Sequence, residues 1–208
     1  LVTGTAYSNN TNVVNVVRNT STSPGNISFA SLVNISSSGY YAYGGICLGD
    51  INGDGKLDII TTNQNSSQGV SVYTNISTVG SINFGSALIY SNSGVSTQGV
   101  AVGDINGDGK LDIVSAASNS PLVSVFKKIT ASTPTIVFTA RDDYSATCAS
   151  GGTGNILSLA DLNNDGLLDI VRCNQSSNNL SILYNVQNVP PVLITDFTPK
   201  QGPISTTV

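Results

Sequence analysis

Gly49-Asp-Ile-Asn-Gly-Asp-Gly-Lys-Leu-Asp-Ile-Ile60 returns as Gly103-Asp-Ile-Asn-Gly-Asp-Gly-Lys-Leu-Asp-Ile-Val114 and again as Ala160-Asp-Leu-Asn-Asn-Asp-Gly-Leu-Leu-Asp-Ile-Val171. The starts lie 54 and 57 residues apart, so the chain is built of repeats, and other features keep the same phase. A Phe stands about 20 residues ahead of each copy, at Phe29, Phe84 and Phe138, counting along the sequence. A β-branched segment follows each copy and ends at Asn75, Lys128 and Asn185. Val13-Val14-Asn15-Val16-Val17-Arg18-Asn19 is a fourth copy of that segment, which implies a chain that begins inside a repeat.

Each copy reads D-x-N-x-D-G-x-x-D. Side-chain oxygens at positions 1, 3, 5 and 9, with the backbone carbonyl of position 7, can wrap one hard cation, and Gly at position 6 permits the sharp turn. The expected ligands are Asp50, Asn52, Asp54, Asp58 and the Lys56 carbonyl in the first loop. In the second they are Asp104, Asn106, Asp108, Asp112 and the Lys110 carbonyl; in the third, Asp161, Asn163, Asp165, Asp169 and the Leu167 carbonyl. Calcium suits three such sites better than magnesium, which keeps more water and demands stricter octahedral geometry. Asp, Asn and Gly are also ordinary turn formers. Three carboxylates within nine residues, repeated at a fixed period, would however repel one another without a cation.

Composition narrows the classes. All 12 acidic residues are Asp, nine of them in these loops, and Glu, His, Met and Trp are absent. No His-based triad or imidazole zinc ligand is therefore available. An EF-hand is excluded too, because it needs a Glu at position 12 and flanking helices, whereas Ile-Ile or Ile-Val follows position 9 here. Ser (29), Asn (23) and Thr (20) dominate, but 39% hydrophobic residues still allow a packed core. A net charge of −4 without a basic stretch argues against nucleic acid. No apolar run approaches the roughly 18 residues of a membrane span.

Short β-branched runs between polar turns predict an all-β chain. Each repeat reads as four antiparallel strands: one entering the loop (Gly45 to Gly49, Gly99 to Gly103, Ile156 to Ala160), one leaving it, the Val/Ile/Tyr strand and a strand carrying the Phe. Ile46 and Leu48, Val100 and Val102, and Leu157 and Leu159 alternate on the entering strands and are expected in the core. Four-stranded units of this size are what β-propeller blades require, since each sheet buries its faces by stacking on its neighbours. Two complete units, about 46–99 and 100–154, lie between two incomplete ones, giving a partial propeller that further blades, of a longer chain or of another chain, would complete.

The loops, their hairpin context and Phe84-Gly85 resemble FG-GAP repeats, also described as the VCBS type, the calcium-binding blades of integrin-α-like propellers and many bacterial secreted proteins. The resemblance spans residues 1–188, with Phe29-Ala30 and Phe138-Thr139 replacing Phe-Gly and Leu167 replacing the Lys of the other loops. Residues 189–208 form a linker after which Ile194 to Val208 resembles the first strand of an immunoglobulin-like IPT/TIG domain; a plain Pro-rich tail is the other reading. The resemblance implies an extracellular chain, secreted or on the surface of a bacterial cell, cut from a longer multidomain protein.

No catalytic residue is expected. The calcium ligands are nearly saturated by protein oxygens, and Asp142 and Asp143, read as solvated loop charges, would point to opposite faces if extended. Tyr40, Tyr41, Tyr43, Tyr90 and Tyr144 precede the entering strands and could hold a sugar or a protein, or could cover blade edges. Cys47 reads as a small buried hydrophobe. Cys148 and Cys173 could form a disulfide suited to an extracellular compartment, or remain two free thiols. N-x-S/T patterns, at Asn26 and Asn174 among others, could carry glycans. Two functions are carried forward: an adhesion or ligand-binding module for a cell-surface glycan or protein, and a structural subunit whose copies complement one another into a fibre.

Overall fold

The structure is a computed structural model that describes residues 2–5, 13–37, 42–63, 69–92, 96–118, 120–130, 135–146, 156–174 and 178–186, with the side chains of 2–5 and 42–44 left aside. It is all-β among these residues. The first sheet holds β1 (Val2–Thr5), β2 (Val13–Val16) and β3 (Val33–Ser36). The second holds β4 (Ala42–Gly49), β5 (Asp58–Asn63), β6 (Val70–Tyr73) and β7 (Leu88–Tyr90). The third holds β8 (Thr97–Gly103), β9 (Asp112–Ala117), β10 (Leu122–Phe126) and β11 (Asp142–Ser145). The fourth holds β12 (Leu157–Ala160), β13 (Asp169–Asn174) and β14 (Asn179–Leu183). In every sheet neighbours in sequence are neighbours in space and all pairings are antiparallel.

The sheets stack in chain order, because strands β5, β6, β9 and β10 carry apolar residues to both faces and cannot be solvated on either. Three cores result. Val14 and Val16 of the first sheet meet Ile59 and Tyr73 of the second. Val70, Val72 and Ile60 of the second meet Val100, Ile113 and Phe126 of the third. Val114, Val123 and Val125 of the third meet Leu157 and Ile170 of the fourth. The inner strands approach most closely: β4 lies against β8 and β8 against β12. Glycine permits this at Gly45, where a Cβ would sit 2.6 Å from the Gln98 carbonyl oxygen.

Two expectations are corrected. The Phe does not lie in the fourth strand proper. Phe29, Phe84 and Phe138 make single bridges to Asn19, Asn75 and Lys128, the first two close to tight turns at 24–25 and 79–80, and the outer strand resumes four residues later as β3, β7 and β11. The Phe84 bridge is held by the Gly85 N–H, which donates to the Thr74 carbonyl at 2.8 Å, and by the Ile76 N–H, which donates to the Asn83 carbonyl. The pairing slips by one residue between Asn75↔Phe84 and Val72↔Leu88. Leu48, expected in the core beside Ile46, is 43% exposed. Its counterparts Val102 and Leu159 pack against a complete four-stranded neighbour, whereas Leu48 faces a three-stranded one. The tail assigned to 189–208 lies outside the described residues. Among the described residues no helix is long and apolar enough to cross a membrane.

Candidate metal centre

Each repeated motif is the connection of an antiparallel hairpin, closed by the pairs Gly49↔Asp58, Gly103↔Asp112 and Ala160↔Asp169. The turn uses two left-handed residues, at positions 4 and 6. Gly53 and Gly55 have φ of 78° and 82°, Gly107 and Gly109 73° and 80°, Asn164 and Gly166 61° and 85°. Asn serves at position 4 of the third loop because, unlike most residues, it tolerates this conformation.

The loops share one hydrogen-bond pattern. At position 1, Asp50 Oδ1 accepts the Asp54 N–H at 3.0 Å and Oδ2 the Gly55 N–H at 2.8 Å. Asp104 does the same for Asp108 (3.0 Å) and Gly109 (2.7 Å), and Asp161 for Asp165 (3.2 Å) and Gly166 (2.9 Å). At position 3, Asn52, Asn106 and Asn163 accept the N–H of position 5, each at 3.0 Å. At position 5, Asp54, Asp108 and Asp165 accept the N–H of Lys56, Lys110 and Leu167 through Oδ1. Position 7 joins this shared pattern through its backbone N–H, so Leu167 leaves it intact.

Position 9 differs from the rest. Asp58, Asp112 and Asp169 are wholly buried. Asp58 Oδ2 accepts the N–H groups of Ile51 and Asn52, and Oδ1 accepts that of Asn75 at 2.8 Å. Asp112 bridges Ile105 and Lys128, and Asp169 bridges Leu162 and Asn185, in the same way. One carboxylate thus ties the start of the loop to the end of the third strand. Burial pushes the Asp58 and Asp112 carboxyls up from their ordinary value, against the opposing pull of these amides. The amide partners Asn75, Lys128 and Asn185 were visible in the sequence only as strand ends; their constant distance of 16 or 17 residues from position 9 was the available signal.

A hard cation needs oxygen acceptors that backbone amides have not used up. Each carboxylate offers about four lone-pair sites. Position 5 has the most to spare: its Oδ2 accepts no backbone amide, and in two of the three loops it draws a cationic or donor group instead. Lys110 Nζ lies 2.6 Å from Asp108 Oδ2, and Asn163 Nδ2 lies 2.9 Å from Asp165 Oδ2. The ammonium beside Asp108 holds that carboxyl below its usual range. Among the described residues no group of three or more Asp or Cys side chains is placed to hold a metal as it stands. The donor set nevertheless fits calcium in kind, being all oxygen and including the amide oxygen of position 3 and the carbonyl of position 7.

The remaining candidates are scattered. Tyr40, Tyr41 and Cys148 lie outside the described residues, as does the side chain of Tyr43, which stands in β4. Tyr90 ends β7 and packs between sheets: its ring meets Phe126 and Phe138 edge-on, and its hydroxyl donates to the Ile136 carbonyl at 3.2 Å. Tyr144, its counterpart in β11, is 48% exposed and lines a cavity of about 480 Å³ with Ile105, Val125, Lys127 and Tyr184. Cys173 stands in β13 opposite Leu180. Cys47 packs against the core between the second and third sheets, and burial pushes its thiol up to about 12.

Asp142 and Asp143 are strand residues rather than loop charges. Asp142 pairs with Lys127 at 2.7 Å; Asp143 takes Arg141 in two bonds of 2.6 Å and the Ser124 hydroxyl at 2.7 Å. Arg172 was not singled out from the sequence. It is almost fully buried and donates to the carbonyls of Ala117 (2.9 Å), Ser120 (2.7 Å) and Leu122 (3.3 Å), fastening the fourth sheet to the β9–β10 turn of the third.

Residues 50–115 match the model of the FG-GAP-like repeat family. The matched stretch runs from position 1 of the first loop to just beyond the second, less than half of the chain. No curated protein matches the chain.

Proposed function

We propose that this chain is a calcium-stabilised β-propeller-type module of a secreted or cell-surface protein, acting in adhesion or in binding a glycan or protein ligand. The observation that carries it is the common loop geometry. Three hairpins curl their amides around the same Asp and Asn oxygens, and in the second and third the outer oxygen of position 5 takes a Lys ammonium or an amide. The match to an FG-GAP-like repeat supports a propeller-like extracellular module. Calcium would be held by Asp50, Asn52, Asp54, Asp58 and the Lys56 carbonyl, and by their counterparts in the other loops. Its role is to neutralise clustered carboxylates and stiffen the hairpin tips. Bacterial origin, glycosylation of the Ser/Thr/Asn-rich surface, a Cys148–Cys173 disulfide and an IPT/TIG-like continuation belong to the same reading. Tyr144, which lines a cavity beside Tyr184, is the exposed aromatic this reading offers to a ligand. Glycan arrays and cell-surface capture with calcium-loaded and chelated protein test it. Calcium-dependent binding weakened by Tyr144→Ala is expected, and no binding in either state would contradict it.

A second reading, a structural subunit that assembles with its own copies, is favoured by the apolar end faces of the stack.

A further inference from the structure

The repeat gives every position a counterpart in each sheet. Asn19, Asn75, Lys128 and Asn185 correspond, the first three by their bridges to Phe and the last three by their bonds to position 9. Counting back from them, Val14 and Val16 correspond to Val70 and Val72, to Val123 and Val125, and to Leu180 and Ile182. The first three pairs are at most 7% exposed, because each faces the next sheet. Leu180 and Ile182 are 62% and 46% exposed. Loop position 2 follows suit: Ile51 and Ile105 are buried, whereas Leu162 is 46% exposed.

The other end of the stack lacks the opposite half. Ile82 and Phe84 pack on the first sheet's Val14 and Val16, and Ile136 and Phe138 on the second sheet's Val70 and Val72. Their counterparts in the first sheet, Ile27 and Phe29, are 78% and 51% exposed. The segments that carry Ile27 and Phe29 at one end and Leu180 and Ile182 at the other, residues 19–37 and 178–186, contain no Asp, Lys or Arg; the carboxylates nearest in sequence to the docking residues are Asp161 and Asp165, on either side of Leu162. An apolar sheet suits such faces better than an ionic ligand does.

We propose that Ile27 and Phe29 of one copy dock on Leu162, Leu180 and Ile182 of a second copy, head to tail, repeating the sheet-to-sheet contact that the chain already builds internally. This rests on the second reading above and names its interface. The contact is heterologous, so it closes into a ring or runs on as a filament. Two copies of four sheets would reach the upper end of the about 4–8 blades with which propellers close.

The test is sedimentation velocity on the full chain with calcium, from about 1 to about 100 μM, alongside Phe29→Asp and Ile182→Asp. Wild type should associate, and each variant alone should be monomeric, with affinity reduced more than about tenfold. An equimolar mixture of the two variants should form a 1:1 complex, because each keeps the half that the other lacks; this recovery also shows that both are folded. A wild type that stays monomeric throughout would overturn the proposal and the second reading together. Association that both variants retain, or a mixture that fails to recover, would overturn this interface while leaving self-assembly standing.

Discussion

The wholly buried Asp58 carboxylate accepts the backbone N–H of Asn75, seventeen residues further along the chain, at 2.8 Å. The same oxygen pair holds Ile51 and Asn52, so one side chain fixes a loop, a hairpin and the next strand. Position 9 is therefore architectural as well as a candidate ligand, and position 5 is not. Asp58→Ala should cost about 2–4 kcal/mol with or without calcium, because it strands buried amides. Asp54→Ala, exposed, should change the calcium-free protein by no more than about 0.5 kcal/mol while weakening calcium binding. Denaturant titrations of both variants, metal-free and metal-loaded, separate the two roles. Equal losses in the metal-free state would contradict the distinction.

Gly45 and Gly103 both touch the next sheet, but they meet different obstacles. A Cβ at Gly45 would lie 2.6 Å from the Gln98 carbonyl oxygen, whereas one at Gly103 would lie 2.7 Å from Leu168 Cδ1, the tip of a flexible side chain. Backbone cannot step aside as a leucine tip can. Gly45→Ala should thus be destabilising by about 2–3 kcal/mol and Gly103→Ala by about 1 kcal/mol or less, measured as shifts in denaturation midpoint.

Arg172 fastens two sheets through three carbonyls that belong to the β9–β10 connection. Arg172→Met keeps the apolar bulk and removes the donors, so a loss of about 3 kcal/mol is expected. Arg172→Lys should recover only part of it, since an ammonium cannot reproduce the planar fork. Hydrogen exchange should show the loosening at residues 117–122 first. A Met variant as stable as wild type would show that packing alone holds the fourth sheet.

The Cys47 thiol, pushed up to about 12 by burial, should resist maleimide at pH 8 in the folded protein. With Cys148 and Cys173 joined, unfolding without reductant should expose one labelled site and unfolding with reductant three. Labelling of all three without reductant would refute the disulfide.

The architecture was legible because the Asp loops keep phase with β-branched strands, and a period near 55 residues admits few folds besides stacked small sheets. The pairing of Gly49 with Asp58 follows from the motif itself. Other features depended on tertiary context. Phe84 looks like a strand residue, but its pairing with Asn75 is one residue out of register with that of β7 on β6, so the strand is interrupted behind it. Leu48 has the pattern of a core residue and lacks a full neighbour to bury it. Arg172 carries no local signal, since its partners lie 50 or more residues away. The position 9 clamp was half visible: its spacing to Asn75 was constant, but only the fold shows that an amide stands there.

Melting of metal-stripped protein before and after calcium addition tests the central claim most directly. A site filled at a hundred times its Kd adds about 2.7 kcal/mol, and for a chain of this size each kcal/mol raises Tm by about 2–4 °C. Three filled loops should therefore raise Tm by more than about 10 °C, with magnesium giving a smaller rise. An unchanged Tm on adding calcium to verified metal-free protein would contradict the account.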